Sequence, residues 1–320
     1  MRPESTSAVL SWPLIEVVSE YDVDKAAAKF IGRRAAPIFK SDKKTGEYPI
    51  MNRENFKKRA TDNRAADGSY NRITGEFGQG TFACEEYGLE HRVDEALKAE
   101  FADELDAYEW AAKHLWFQSL LNHEYRVHAM YSGGGFSNTN VSVDWSTVAS
   151  GVPLDDLQTG IDTLEDKCGC VSQDLSLIIP RADFREALAT DQVVDKSKYT
   201  YPGIQPANLK AAQLAAMLDI KDVLVARGAQ DSTEEGVAEA NAQIWTAGVM
   251  YLALLCDENA ALREPSAART ILWTRRTAAM PIVETYGEPK TDAEIVRVKL
   301  DTDEHLVGET DLFVYKLTNI

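Results

Sequence analysis

Between Leu89 and Ser132 the chain has neither Gly nor Pro, and Leu97, Phe101, Leu105, Tyr108, Ala112 and Leu115 recur at spacings of three and four. That period predicts one long amphipathic helix. Running from about Val93 to Met130, it would be ~55 Å long at about 1.5 Å per residue, and it needs a surface along its whole length. Gly133-Gly134-Gly135 closes it, because glycine takes the left-handed conformation that ends helices. After Trp145 the pattern changes. Pro153-Leu154-Asp155-Asp156 opens a second helix with Leu157, Ile161 and Leu164 on one face, and Leu175-Ser-Leu-Ile-Ile-Pro180 reads as a buried strand stopped by proline. An Ala-rich helix follows at 206–218, then the strand 223–226, with strand candidates at 244–255 and 270–273. Residues 294–300 and 311–317 alternate apolar and polar. Helices and strands mix irregularly, so the class is α+β, not a repeating βαβ fold.

The segment 36–90 has a different grammar. Pro37, Gly46, Pro49, Gly68, Gly75, Gly78, Gly80 and Gly88 divide it into pieces too short for a helix of any length. Asp67-Gly68 is a turn signal, and 72–74 and 81–84 are strand-like. The expectation is a long, protruding β-hairpin with few large apolar residues. The first 35 residues show no sustained period and read as an extended arm.

The chain has 320 residues, with 34 Lys+Arg against 51 Asp+Glu and a formal charge of −17. A protein built mainly to grip nucleic acid needs clustered cations, so that class is excluded. The longest apolar stretch, about 247–256, is half the ~20 residues of a membrane helix. The N-terminus lacks the features of a secretory signal, which places the chain in a cytoplasm with Cys84, Cys168, Cys170 and Cys256 as reduced thiols.

Catalytic signatures are missing. His123, Glu124 and His128 resemble a zinc-protease helix, but the histidines are five apart where the metal needs four. They read as solvated polar positions. Cys168-Gly169-Cys170 has no second cysteine pair. The glycines at 75, 78 and 80 precede no Lys-Ser/Thr, so hairpin turns explain them better than a phosphate cradle. No Gly-x-Ser-x-Gly element occurs. The reading is therefore non-enzymatic, with no cofactor and no metal; an enzyme with dispersed catalytic residues is the remote alternative.

Charge is unevenly placed. Residues 36–80 carry nine cations against six acids, a net +3, whereas 85–109 carry ten acids against Arg92 and Lys98, a net −8. A thin hairpin buries too little to fold alone, and the long helix has surface to spare. If the partner of both is another copy, a basic projection over an acidic helix makes a head-to-tail contact that propagates into rings and shells. The contact residues on this reading are Arg53, Lys57, Lys58, Arg59, Arg64 and Arg72 against Glu95, Glu100, Asp103 and Glu104.

The order of parts resembles the major capsid protein of tailed bacteriophages, a lineage shared with encapsulins. Trp145 followed by Val152-Pro-Leu-Asp-Asp-Leu157 resembles that family's approach to its second helix. Leu175-Ser-Leu-Ile-Ile-Pro-Arg-Ala-Asp-Phe184-Arg-Glu-Ala-Leu188 resembles its strand and short helix. Residues 193–199, 214–226, 234–236, Ile244-Trp245 and 265–273 resemble its axial-domain words. Where relatives often place a Gly-x-x-Pro-Asn turn, this chain has Cys168-Gly-Cys-Val-Ser-Gln-Asp174. The resemblance implies an N-terminal arm (1–35), an extended β-hairpin loop (36–90), a peripheral domain with a long spine helix (91–199), an axial domain (200–281) and C-terminal peripheral strands (282–320). It further implies a building block whose hexamers and pentamers tile an icosahedral shell around double-stranded DNA, touched by weak non-specific contact. Scaffolding, portal and decoration proteins would be partners, a membrane would not, and the chain would reside in the virion after assembly in the host cytoplasm. An encapsulin-like nanocompartment is the nearest alternative.

Overall fold

The computed structural model describes residues 9–11, 13–15, 17, 29–51, 59, 62–64, 68–70, 72, 77–94, 106–200, 209–231, 233, 238, 240–258, 260–262, 264–274, 281–288, 293–307 and 310–320. In chain order the elements are β1 (Val9–Leu10), α1 (Gly32–Ala35), β2 (Ile38–Ser41), β3 (Thr45–Met51), β4 (Phe77–Ala83), β5 (Glu85–Asp94), α2 (Ala107–Ser132) and β6 (Asn138–Asn140). Then follow α3 (Pro153–Cys168), β7 (Leu175–Pro180), α4 (Arg181–Ala189), α5 (Asp191–Thr200), α6 (Ala211–Leu218), β8 (Asp222–Ala226), β9 (Ala229–Asp231) and β10 (Asn241–Gln243). The chain closes with β11 (Val249–Leu254), β12 (Ala268–Trp273), β13 (Ile282–Glu288), β14 (Ala293–Leu306), α7 (Thr310–Phe313) and β15 (Val314–Thr318). Helices and sheets are both present and interleaved irregularly, as an α+β chain requires.

Two sheets organise the body. The larger has the order β1-β13-β14-β12-β2, with β5 also paired to β14; the smaller runs β6-β15-β11-β7-β8. Strand β14 is the spine of the first, pairing antiparallel with β13 over 293–299, β5 over 293–302 and β12 over 302–306. Its alternation buries Val296, Val298 and Leu300. Strand β7 is the interior of the second: all six residues are buried, with β11 antiparallel on one side and β8 parallel on the other. A strand enclosed on both faces reads as a continuous apolar run instead of an alternation. One apolar cluster joins both sheets and helices α2, α3 and α6.

Helix α3 forms where its signals put it. Pro153 occupies the first turn with Asp155 and Asp156 at the positive end of the dipole, and Gly169 caps the other end at φ 60°. A 3-10 turn at Ser172–Asp174 then leads into β7.

The long helix starts later than its period suggested. Residues 85–94 form strand β5, in register with β14 from Glu85↔Thr302 to Asp94↔Ala293. Tyr87, Leu89, His91 and Val93 point to the covered face at a period of two, and the ladder hydrogen bonds to β14 outweigh the helical spacing downstream. Helix α2 begins at Ala107, where the Asp106 side chain accepts the backbone N–H groups of Tyr108 (3.0 Å) and Glu109 (3.2 Å). Its 26 residues make about 39 Å instead of ~55 Å. Among the described residues no helix is long and apolar enough to cross a membrane.

Candidate subunit-contact site

Strands β3 and β4 form the expected ribbon, antiparallel from Thr45↔Ala83 to Met51↔Phe77, and among the described residues they pair only with each other. Its glycines are not turn residues. Gly46 faces Phe82 and Gly80 faces Tyr48 across the ladder, and a Cβ on either would lie 2.7 Å or 2.3 Å from the opposing ring. Each glycine is the floor on which an aromatic side chain of the partner strand lies flat. Tyr48 and Phe82 join Cys84, Ile271 and Val307 in a small second core at the ribbon's base. Hydrogen bonds from Ala83 N–H to Asp303 Oδ2 (2.9 Å) and from Cys84 N–H to the Lys44 carbonyl (2.9 Å) fix the exit into β5. Burial, reinforced by Asp303, pushes the Tyr48 phenol up to about 12.

Of the basic contact residues, Arg59, Arg64 and Arg72 are exposed, and the Arg64 guanidinium lies 4.8 Å over the ring of Tyr70, itself 74% exposed. Arg53, Lys57, Lys58, Glu95, Glu100, Asp103 and Glu104 lie outside the described residues. The acids around them are partly spent inside the chain. Glu90 takes Arg297 and the hydroxyl of Tyr286, Asp94 takes Arg92, and Glu109 takes Lys113 one helical turn away. Glu85 and Glu86 remain exposed on β5. The −8 counted along 85–109 therefore overstates what a neighbour could meet.

The spine helix holds what sequence reasoning missed. His123 and Glu124, expected in solvent, are 3% and 0% exposed. Both border Gly32. His123 Nε2 lies 3.1 Å from Thr270 Oγ1 and 3.5 Å from Glu304, whose carboxylate Arg126 grips through Nε (2.9 Å) and Nη2 (3.1 Å). The Arg126 guanidinium also stacks 3.8 Å over Tyr87. Burial raises the Glu304 carboxyl, but hydrogen bonds from Arg126 and Thr302 with the charges of His123 and Arg126 outweigh it and hold it below its ordinary value. Burial pushes His123 down to about 4, against the pull of Glu304. Glu124 accepts the Trp245 indole N–H (2.6 Å) and the Gly32 N–H. The partners lie 92 to 181 residues away along the chain, and no local pattern announces them. Among the described residues, no group of three ligating side chains that could hold a metal is present.

The outer face of α2 is aromatic near its start. Trp110 is 46% exposed and stacks parallel on His114 at 5.2 Å, with His91 edge-on to Trp110 at 5.3 Å. Trp110, Lys113, His114 and Phe117 line an open cleft of about 370 Å³. The arrangement offers apolar area and weakly basic groups for association. It assembles no nucleophile, base and anion hole of the kind catalysis needs.

No family model matches the chain, and no curated protein matches it. Solved structures do. A phage-related protein from Bordetella bronchiseptica is 16% identical, with 97% of each chain covered and a TM-score of 0.71. The capsid of cyanophage P-SCSP1u is 10% identical over 89% of this chain and 86% of that one, with a TM-score of 0.57. A virus-like particle from Pyrococcus furiosus is 10% identical over 95% of both chains, with a TM-score of 0.51. At these identities the likeness is one of fold: the chain has the phage-capsid fold.

Proposed function

We propose that this chain is a major capsid protein that self-assembles into an icosahedral shell around double-stranded DNA, built from hexamers and pentamers. The observation that carries the reading is the fold likeness, which covers 97% of this chain in one solved structure and 89% in another. The role is structural, not enzymatic, and the location is the virion. On this reading 1–35 is the arm, 36–90 the extended loop, 91–199 and 282–320 the peripheral domain and 200–281 the axial domain. Portal, scaffolding and decoration proteins complete the assembly. A two-stranded ribbon held by five core residues is marginal by itself, and laying it on a neighbour supplies the missing burial.

The ribbon cations Arg53, Lys57, Lys58, Arg59, Arg64 and Arg72 meet acids of the adjacent subunit, with Glu95, Glu100, Asp103 and Glu104 the facing set. Each exposed pair contributes at most about 1 kcal/mol, but hundreds of copies close one shell. Lys57→Glu with Arg59→Glu should lower the yield of particles in negative-stain micrographs and leave subunit melting unchanged; normal particles from that variant refute the pairing. The similarity to the Pyrococcus furiosus particle keeps a second reading, a nanocompartment shell. Nucleic acid in purified particles supports the first, a protein cargo the second, and a monodisperse monomer neither.

A further inference from the structure

The ribbon has two outer margins, and its ladder shows which backbone groups lie on each. In an antiparallel pair, opposed residues alternate between those that exchange hydrogen bonds and those whose N–H and C=O point away from the partner strand. The Cys84 N–H donates to the Lys44 carbonyl at 2.9 Å, and these two residues continue the register that begins at Thr45↔Ala83. The bonding pairs are therefore Gly46↔Phe82, Tyr48↔Gly80 and Ile50↔Gly78. Two further facts agree. The Ala83 N–H turns outward to Asp303 Oδ2 (2.9 Å), and Pro49, opposite Gln79, has no N–H to give inward. The backbone groups of Thr45, Glu47, Pro49 and Met51 thus line one margin, and those of Phe77, Gln79 and Thr81 line the other.

The two margins are not equivalent. On β3, Pro49 removes a donor from the middle of the edge and the exposed Glu47 puts a charge beside it. Proline and charge are devices that keep an edge strand from taking up another strand. Strand β4, Phe-Gly-Gln-Gly-Thr-Phe-Ala, carries neither. Gln79 and Thr81 are exposed, and among the described residues nothing bonds to their backbone N–H groups. An unprotected edge of this kind is a template for strand addition. A second copy supplies a complement by identity. Laid antiparallel about Gln79, β4 on β4 opposes Gln79 to Gln79 and Phe77 to Thr81 twice, which meets every outward group with no charge to repel.

We propose that the β4 margin of the ribbon is a strand-docking edge, closed by β4 of a second copy running antiparallel about Gln79, while the Pro49 margin stays out of the contact. The proposal rests on the shell reading, which supplies the second copy, and adds a backbone contact to the charge pairs. A contact to which each copy gives the same strand closes on a two-fold axis, and an icosahedral shell contains such axes.

Hydrogen exchange on particles assembled from the purified chain, compared with dispersed subunits, reads the edge directly. The amides of Gln79 and Thr81 should gain about tenfold protection or more on assembly. Gln79→Pro and Glu47→Pro each remove one outward N–H, and each follows a glycine, where the proline ring is least crowded. Gln79→Pro should lower particle yield about tenfold in negative-stain micrographs with subunit melting unchanged, whereas Glu47→Pro should assemble like the unaltered chain. In oxidised particles Gln79→Cys should run as a disulfide-linked dimer that the unaltered chain lacks, because opposed bonding residues sit about 5.5 Å apart at Cα, within disulfide reach. Unprotected amides in well-formed particles, equal yields from the two proline variants, or no dimer from Gln79→Cys overturn the docking edge and leave the shell reading standing. A chain that forms no particles overturns both. Should Gln79→Pro lose the ribbon itself, seen as faster trypsin cleavage of dispersed subunits, exchange in the unaltered chain and the Gln79→Cys link decide.

Discussion

The ribbon β3–β4 and the body it springs from are stabilised on different scales. In the body, strand β7 has hydrogen-bonded neighbours on both edges and apolar cover on both faces. The ribbon has one partner per strand and a core of Tyr48, Phe82, Cys84, Ile271 and Val307, two of which the body lends. Aromatic rings lying on Gly46 and Gly80 seat its strands closely on each other. The body is held by many enclosed contacts, whereas the ribbon rests on a few.

Breaking the body should show the largest effect. Ile178, wholly enclosed opposite Tyr251 and Leu224, becomes a cavity in Ile178→Ala, and about 2–5 kcal/mol of unfolding free energy should disappear in urea titrations. Phe82→Ala sharpens the contrast. It should hardly move the body's urea midpoint, while trypsin cuts the ribbon several-fold faster, because the ribbon opens as its own unit.

His123 sets the next effect. Its folded pKa lies near 4 against an ordinary 6.5, so the stability it permits is fully present above about 6.5 and is lost as pH falls toward 4. The loss is on the order of 3 kcal/mol, and His123→Gln should flatten that limb of a pH–stability curve. The smallest effect belongs to Asp106→Ala, which removes the cap of α2 and should cost about 1 kcal/mol by thermal melting.

Much of the body was legible along the chain. Pro153 with its acids foretold α3, the run at 175–180 foretold β7, and the alternation at 294–300 lies within β14. The ribbon was legible from its glycines, although Gly46 and Gly80 seat rings instead of turning the chain. The start of α2 was hidden because 89–94 satisfies a period of two and of 3.6 at once, and only the β14 ladder discriminates. Of the expected contact residues, Arg59, Arg64 and Arg72 are exposed.

Composition, period and turn chemistry by themselves determined the α+β class, most elements and the basic ribbon, because these depend on neighbours within a few residues. Tertiary structure alone decided which charges are spent. Glu90 went to Arg297, Glu304 to Arg126, and Glu124 into the interior, where it accepts from Trp245 and Gly32. The partners of such groups come from distant segments, and their worth depends on the water that folding removes, which no local pattern records.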